Sequence, residues 1–105
     1  MNPELKKILD RDYSLVFDKK SKNAMLMSHY KYGWVKDNYS TGIVNAIHEL
    51  KKRLKEYEET GNTEKLVDVK NFAMCEFMYP QHPNAHYKGT DSDQSSGLDR
   101  NEVEE

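Results

Sequence analysis

Glu64, Asp68, Asn71 and Cys75 follow one another at intervals of four, three and four residues. At about 100° per residue they fall within a sector of about 60° on one side of an α-helix. Two carboxylates, an amide and a thiol in that order suit one of two tasks. They could form a functional floor that holds a divalent cation or reads a ligand through an acid and an amide. Alternatively, they could be partly buried groups satisfied by basic side chains or backbone, as burial demands. Phe72 borders the stripe on one side, Val67, Met74 and Met78 border it on the other, and Leu66, Val69, Ala73 and Phe77 lie opposite. Large apolar shoulders distinguish this stripe from an ordinary solvated face. If Asp68 is buried, its pairing partner decides its role.

Other residues carry weaker chemical patterns. His29, His48, His82 and His86 could be combined with Cys75 as zinc ligands, but His82 and His86 flank Pro83, which removes helical i, i+4 geometry. None of these spacings matches a zinc module, so loop and surface histidines are expected. A Cys75–histidine nucleophile pair is conceivable, yet a cysteine among Phe72, Met74 and Phe77 reads as an inert buried thiol. Tyr30, Lys31, Tyr32 and Trp34 alternate aromatic rings with charge and suit base stacking. With Lys51, Lys52 and Arg53 they could make a surface for nucleic acid or a negatively charged protein. The competing reading has the rings cap a small helical core while the basic run is a solvated face.

These residues must be placed by helices. Asn2, Pro3 and Glu4 form a helix start, with a capping side chain, a fixed φ and an acid near the dipole's positive end. Leu5, Ile8, Leu9, Val16 and Phe17 continue the apolar spacing, so a first helix is expected to reach Phe17, with a polar break over residues 19–23. Residues 25–42 show no clean period and read as an ordered aromatic connection with at most a short helical turn. A second helix is expected from a Ser40 or Thr41 cap, with Ile43, Ile47, Leu50, Leu54 and Tyr57 as its seam and Gly61 as its end. A third starts after Asn62 and stops before Pro80. The short link between the last two predicts an antiparallel hairpin.

The expected fold class is therefore all-α, a small helical bundle over residues 1–87 onto which His86 and Tyr87 can dock, followed by a disordered acidic tail over 88–105. The net charge of −2 divides unevenly. Residues 1–87 hold 14 basic and 12 acidic groups, and residues 88–105 hold 2 and 6. Neither balance is extreme enough to name a polyanionic partner. At 105 residues the chain is expected to be one domain, marginal as a lone core and eased by self-association. One cysteine excludes an internal disulfide. The apolar runs fall short of the roughly 18 residues of a membrane span, and the charged start is unlike a signal peptide, so no membrane role and a cytoplasmic location are expected. In that compartment the Asn38-Tyr39-Ser40 sequon carries no glycan.

The stretch TGNTEKLVDVKNFAMCEFMYP and the following Thr-Asp-Ser segment resemble a motif of small phage and prophage proteins, across residues 60–97. Asp68, Asn71, Phe72, Ala73 and Met74 stand as in that motif, with Lys70 in place of its usual alanine. More distantly, the helix hairpin and its D-V-x-N-F run resemble MazG-like nucleoside triphosphate pyrophosphohydrolases. That likeness implies an all-α, magnesium-dependent enzyme working as a dimer, with carboxylates from two helices around the metal. Here the E-E-x-x-E run is missing. Lys51, Lys52, Arg53 and Lys55 stand between Glu49 and the acids Glu56, Glu58 and Glu59, and Lys65 stands three before Asp68.

Two main expectations follow, with a small nucleic-acid-binding module built on the residue 30–34 aromatics and the basic run as a further alternative. One is a non-catalytic phage-type binding protein without cofactor, an inhibitor of a host defence nuclease in an anti-CRISPR or anti-restriction role. It would bind through Asp68, Asn71, the residue 30–34 aromatics and the basic run. The other is a MazG-like pyrophosphohydrolase with Glu49, Glu56, Glu64 and Asp68 as catalytic acids, Glu64 and Asp68 being the metal candidates. Either could be a homodimer that packs its two long helices into a four-helix core.

Overall fold

The computed structural model describes residues 1–90. Within them the chain is all-α, with α1 Pro3–Asp12, α2 Leu15–Tyr32, α3 Val35–Tyr39, α4 Ala46–Thr60 and α5 Glu64–Met78. The expected acidic tail lies, from residue 91 onward, outside the described residues.

Local chemistry explains each boundary. Asn2 Oδ1 accepts from Glu4 N at 2.7 Å, which starts α1 as expected. The first helix does not reach Phe17. Tyr13 and Ser14 are extended, and Ser14 Oγ accepts from Phe17 N at 3.0 Å to start a new helix. That helix, α2, runs straight through the expected break at residues 19–23 and half of the expected aromatic connection. The polar run is tolerated because Ser21 is the residue that α2 turns inward, and it is buried. Gly33 ends α2 at φ 83°, and its N–H donates to His29 O at 2.8 Å.

Ser40 and Thr41 do not cap α4. Their hydroxyls donate backwards to Lys36 O and Asp37 O, satisfying the C-terminal carbonyls of α3. Asn45 is the α4 cap, its Oδ1 accepting from His48 N at 3.0 Å. Ile43 consequently precedes the helix and is exposed. Gly61 ends α4 in the left-handed region at φ 72°, its N–H bonded to Tyr57 O, and Asn62 Oδ1 accepts from Glu64 N to start α5.

The predicted hairpin of α4 and α5 is the most extensive packing in the molecule. α2 and then α3 pack on other sides of α5, making it the central helix, whereas α1 makes no substantial packing with any other helix. The buried residues among those described are Ser21, Ala46, Val67, Asn71 and Cys75. Three of the five lie on α5 at steps of four, and the others are small residues that let α2 and α4 approach it closely.

No helix among the described residues is long and apolar enough to cross a membrane.

Candidate functional site

The stripe of α5 from Asp68 to Cys75 is its inward face, and the apolar face opposite is half-buried at Leu66 and Val69 and exposed at Ala73 and Phe77. Asn71 and Cys75 are buried, Asp68 is half-buried, and Phe77 is 72% exposed. Glu64, at the start of α5, is exposed and does not join the others. Burial of the stripe follows from which neighbours meet it. Asn71 Nδ2 donates to Ser21 O at 3.0 Å, a buried bond that ties α5 to α2. Ser21 in turn donates its hydroxyl to Phe17 O at 2.7 Å. No buried side-chain nitrogen or oxygen among the described residues is left without a partner.

Asp68 faces a cation supplied by α4. Arg53 Nη1 lies 3.3 Å from both Glu49 Oε2 and Glu56 Oε1, and its Nε lies 3.6 Å from Asp68 Oδ2. Its guanidinium also sits 5.6 Å from the centroid of the Phe72 ring. Lys65 Nζ adds a second cation at 3.1 Å from Glu56 Oε2. The lysine that stands where a metal-ligating acid is expected from the MazG pattern therefore neutralises a carboxylate of α4. Among the described residues, no group of three His, Cys, Asp or Glu side chains is placed to hold a metal ion.

The electrostatics of the seam are uneven. Burial pushes the Asp68 carboxyl above its ordinary pKa, outweighing the opposing pull of Arg53. Glu56 is held below the ordinary range, chiefly by its hydrogen bond with Lys65. Burial also raises the Cys75 thiol, which makes its thiolate scarce, and raises the Tyr39 phenol beside it. That environment fits the inert thiol read from sequence and leaves Cys75 poorly suited to nucleophilic work.

A cleft of about 280 Å³ opens beside the seam, between α2, α3, α4 and α5, and Tyr39, Glu49, Arg53, Asp68, Asn71 and Phe72 contribute to its wall. Gln81 closes a neighbouring edge. Its Nε2 donates to Tyr39 O at 2.9 Å and to Val44 O at 2.6 Å, while its backbone N–H donates to Glu76 Oε2 at 3.0 Å. Neither Tyr39 nor Gln81 stands out in the sequence as a site residue, and no periodic signal marks them. Arg53 did carry a signal. It is four residues after Glu49 and three before Glu56, which places all three on one side of α4.

That placement separates the basic run. Lys51 and Lys52 are exposed, but Arg53 turns inward, so the three do not form one surface. Tyr30, Lys31, Tyr32 and Trp34 are exposed, and Trp34 packs edge-on against His29 with centroids 4.5 Å apart. Tyr87 reaches Phe77 edge-on at 6.5 Å. His82 and His86 serve local turns, with Nδ1 of each within 3.0 Å of a backbone group of Asn84.

Comparison with known proteins finds no matching family model, no matching curated protein and no matching solved structure.

Proposed function

We propose that this chain is a non-catalytic binding protein that acts by contact with another macromolecule. The observation that carries the reading is the pairing of Glu49, Glu56 and Asp68 with one guanidinium. A carboxylate bound to Arg53 has its charge spent inside the protein, and adding a divalent cation there would bring like charges together. In its most specific form, resting on the resemblance of residues 60–97 to phage proteins, the partner is a host defence nuclease and the outcome is inhibition. Titrating the purified chain into DNA-cleavage assays of CRISPR effectors and restriction nucleases tests that form. The expected result is loss of cleavage near a one-to-one ratio with one of them, with DNA alone left unbound.

A second reading is favoured by the same geometry seen from the other side. Glu49, Glu56 and Asp68, from two helices, lie around one cationic position that Arg53 fills, and the MazG-like resemblance implies carboxylates of two helices around magnesium. Release of pyrophosphate from nucleoside triphosphates with magnesium or manganese separates the two readings. Turnover that disappears in both Asp68→Asn and Glu49→Gln would establish the enzyme and remove the binding-protein reading.

A further inference from the structure

The face shared by α2, α3 and α5 carries an apolar groove that no helix among the described residues fills. Its volume is about 900 Å³, and Met25, Leu26, Met74 and Met78 floor it with Trp34 at the edge. Leu26, Trp34 and Met78 remain 59%, 69% and 44% exposed. A contiguous apolar surface of this kind on a small domain marks a docking place.

The rim of the groove is positively charged. The charged side chains that line it are Lys22, Lys36, Lys70 and Asp18, three cations against one anion. Lys70 is paired with Asp18, which also accepts from Tyr13 Oη at 2.5 Å. The Lys70 ammonium lies 4.7 Å from the centroid of the Phe17 ring, so that corner is satisfied within the fold. Lys22 and Lys36 form no ion pair among the described residues. An apolar floor with two such lysines at its rim suits an acidic segment that carries an apolar anchor.

Tyr87 brings the end of the described chain to the border of this groove. On the wheel of α5, Phe77 lies about 20° from Lys70 and about 60° from Met74, so it adjoins the groove side of that helix. Tyr87 meets Phe77 edge-on at 6.5 Å. Residues 91–105 follow three residues later, and they hold six acids, Asp91, Asp93, Asp99, Glu102, Glu104 and Glu105, against one cation, Arg100. Their apolar side chains are Leu98 and Val103. Leu98 stands eleven residues past Tyr87. At roughly 3.3 Å per extended residue that link spans about 36 Å. The groove side of α5 from Lys70 to Met78 measures about 12 Å, so Leu98 can reach all of it.

We infer that the acidic segment 91–105 of the same chain seats in this groove, with Leu98 on the methionine floor and its carboxylates against Lys22 and Lys36. Opposite charge, an apolar anchor and a link that starts at the groove's border all select this occupant. Tethering strengthens it, because a segment held by a short link acts at an effective concentration of order millimolar, at which modest contacts suffice. The segment has too few apolar groups to order by itself, and the groove supplies the surface it lacks. Attraction at the exposed rim is screened by salt, so the contact loosens as ionic strength rises. Seated there, the segment covers Leu26 and Trp34 and closes the groove to other partners until they displace it. The contact is independent of either reading of the acid seam.

Trp34 is the single tryptophan of the chain and reports on the groove directly. In the full chain, Leu98→Asp is expected to raise acrylamide quenching of its fluorescence about twofold, as loss of an anchor reopens a covered surface. The buried Cys75 controls for the fold of that variant, because slow reaction with a thiol reagent shows that α5 is still packed. Placement is read by carbodiimide coupling, which joins carboxylates to lysines in contact, on an equal mixture of light and isotope-labelled full chains. Links from Lys22 or Lys36 to a carboxylate of residues 91–105 are expected within one chain, and they are expected to disappear in Leu98→Asp. Quenching that Leu98→Asp leaves unchanged would overturn the inference and leave the groove to an outside partner. Absence of the links, or their persistence in Leu98→Asp, would overturn it too. So would links that run only between light and labelled chains, which would assign the groove to a second copy.

Discussion

The α4–α5 hairpin and the α1 arm solve opposite problems. The hairpin turns a polar stripe inward and satisfies it within the protein, through Asn71 to Ser21 O of α2 and through Arg53 to three carboxylates. The arm is amphipathic and leaves its apolar stripe exposed, with no covering partner among the described residues. In the hairpin, removing one member strands the others in a half-buried setting. In the arm, removing a side chain costs little unless another molecule covers it. Stability should therefore be concentrated in polar residues of the hairpin and depend little on the apolar residues of the arm.

The largest expected loss is from Arg53→Ala, which leaves Glu49, Glu56 and Asp68 facing one another without their shared cation. Removing one partner of a fully buried pair costs about 3–5 kcal/mol. With side chains 26–33% exposed, solvent screening reduces this to about 2–3 kcal/mol. Denaturant unfolding checks it, and a loss below that of surface substitutions would break the contrast. Asn71→Ala comes next, at about 2 kcal/mol, because it removes a buried bond between α5 and α2 and opens a small void. Asp68→Ala should cost about 1 kcal/mol and Glu64→Ala less than about 0.5 kcal/mol, since Asp68 alone of the two meets Arg53. Equal melting temperatures for these two variants would contradict the placement of the seam. Leu5→Ala in α1 should change the unfolding free energy by less than about 0.5 kcal/mol, as an exposed position does.

Acid titration sharpens the comparison through the sign of two shifts. Asp18, at the base of the arm, has a lowered pKa owing first to Lys70 and then to Tyr13. Its contribution is complete above the ordinary carboxylate range and is lost as pH falls through the lower folded value. Asp68 has a raised pKa because burial opposes its charge. Its penalty is present above the folded value and is relieved as pH falls through it. Relative to Asp68→Asn, the wild type should gain stability as pH drops from 7 towards 4. Relative to Asp18→Asn, it should lose stability only at more acidic pH, below about 4.

Much of the fold was legible in the chain. Gly61, Asn62 and Pro80 bracket two periodic segments, and local backbone chemistry at those residues is enough to impose the hairpin. The break after α1 was not legible, because Leu9, Val16 and Phe17 keep a helical period across Tyr13 and Ser14, and a cap at Ser14 competes with continuation. Residues 19–23 look like a break when no neighbour is known. Beside Asn71, a polar Ser21 is a contact surface. The seam of α4 was misplaced by about one residue for a related reason. Ile47 and Leu54 are the apolar choice for an inward face, yet they remain 38% and 40% exposed while Glu49, Arg53 and Glu56 turn towards α5.

The amino-acid sequence by itself determined the all-α class, the hairpin and the alignment of Glu64, Asp68, Asn71 and Cys75, because those follow from backbone geometry and residue spacing. Which side of α5 faces inward was decided only by tertiary packing. A wheel shows which residues share a face, but the partner for a buried Asp68 comes from Arg53, fifteen residues away. The partner for Asn71 comes from Ser21, fifty residues away. The exposed side of α1 is likewise a property of the whole molecule, set by how Tyr13, Asp18 and Lys70 hold its base.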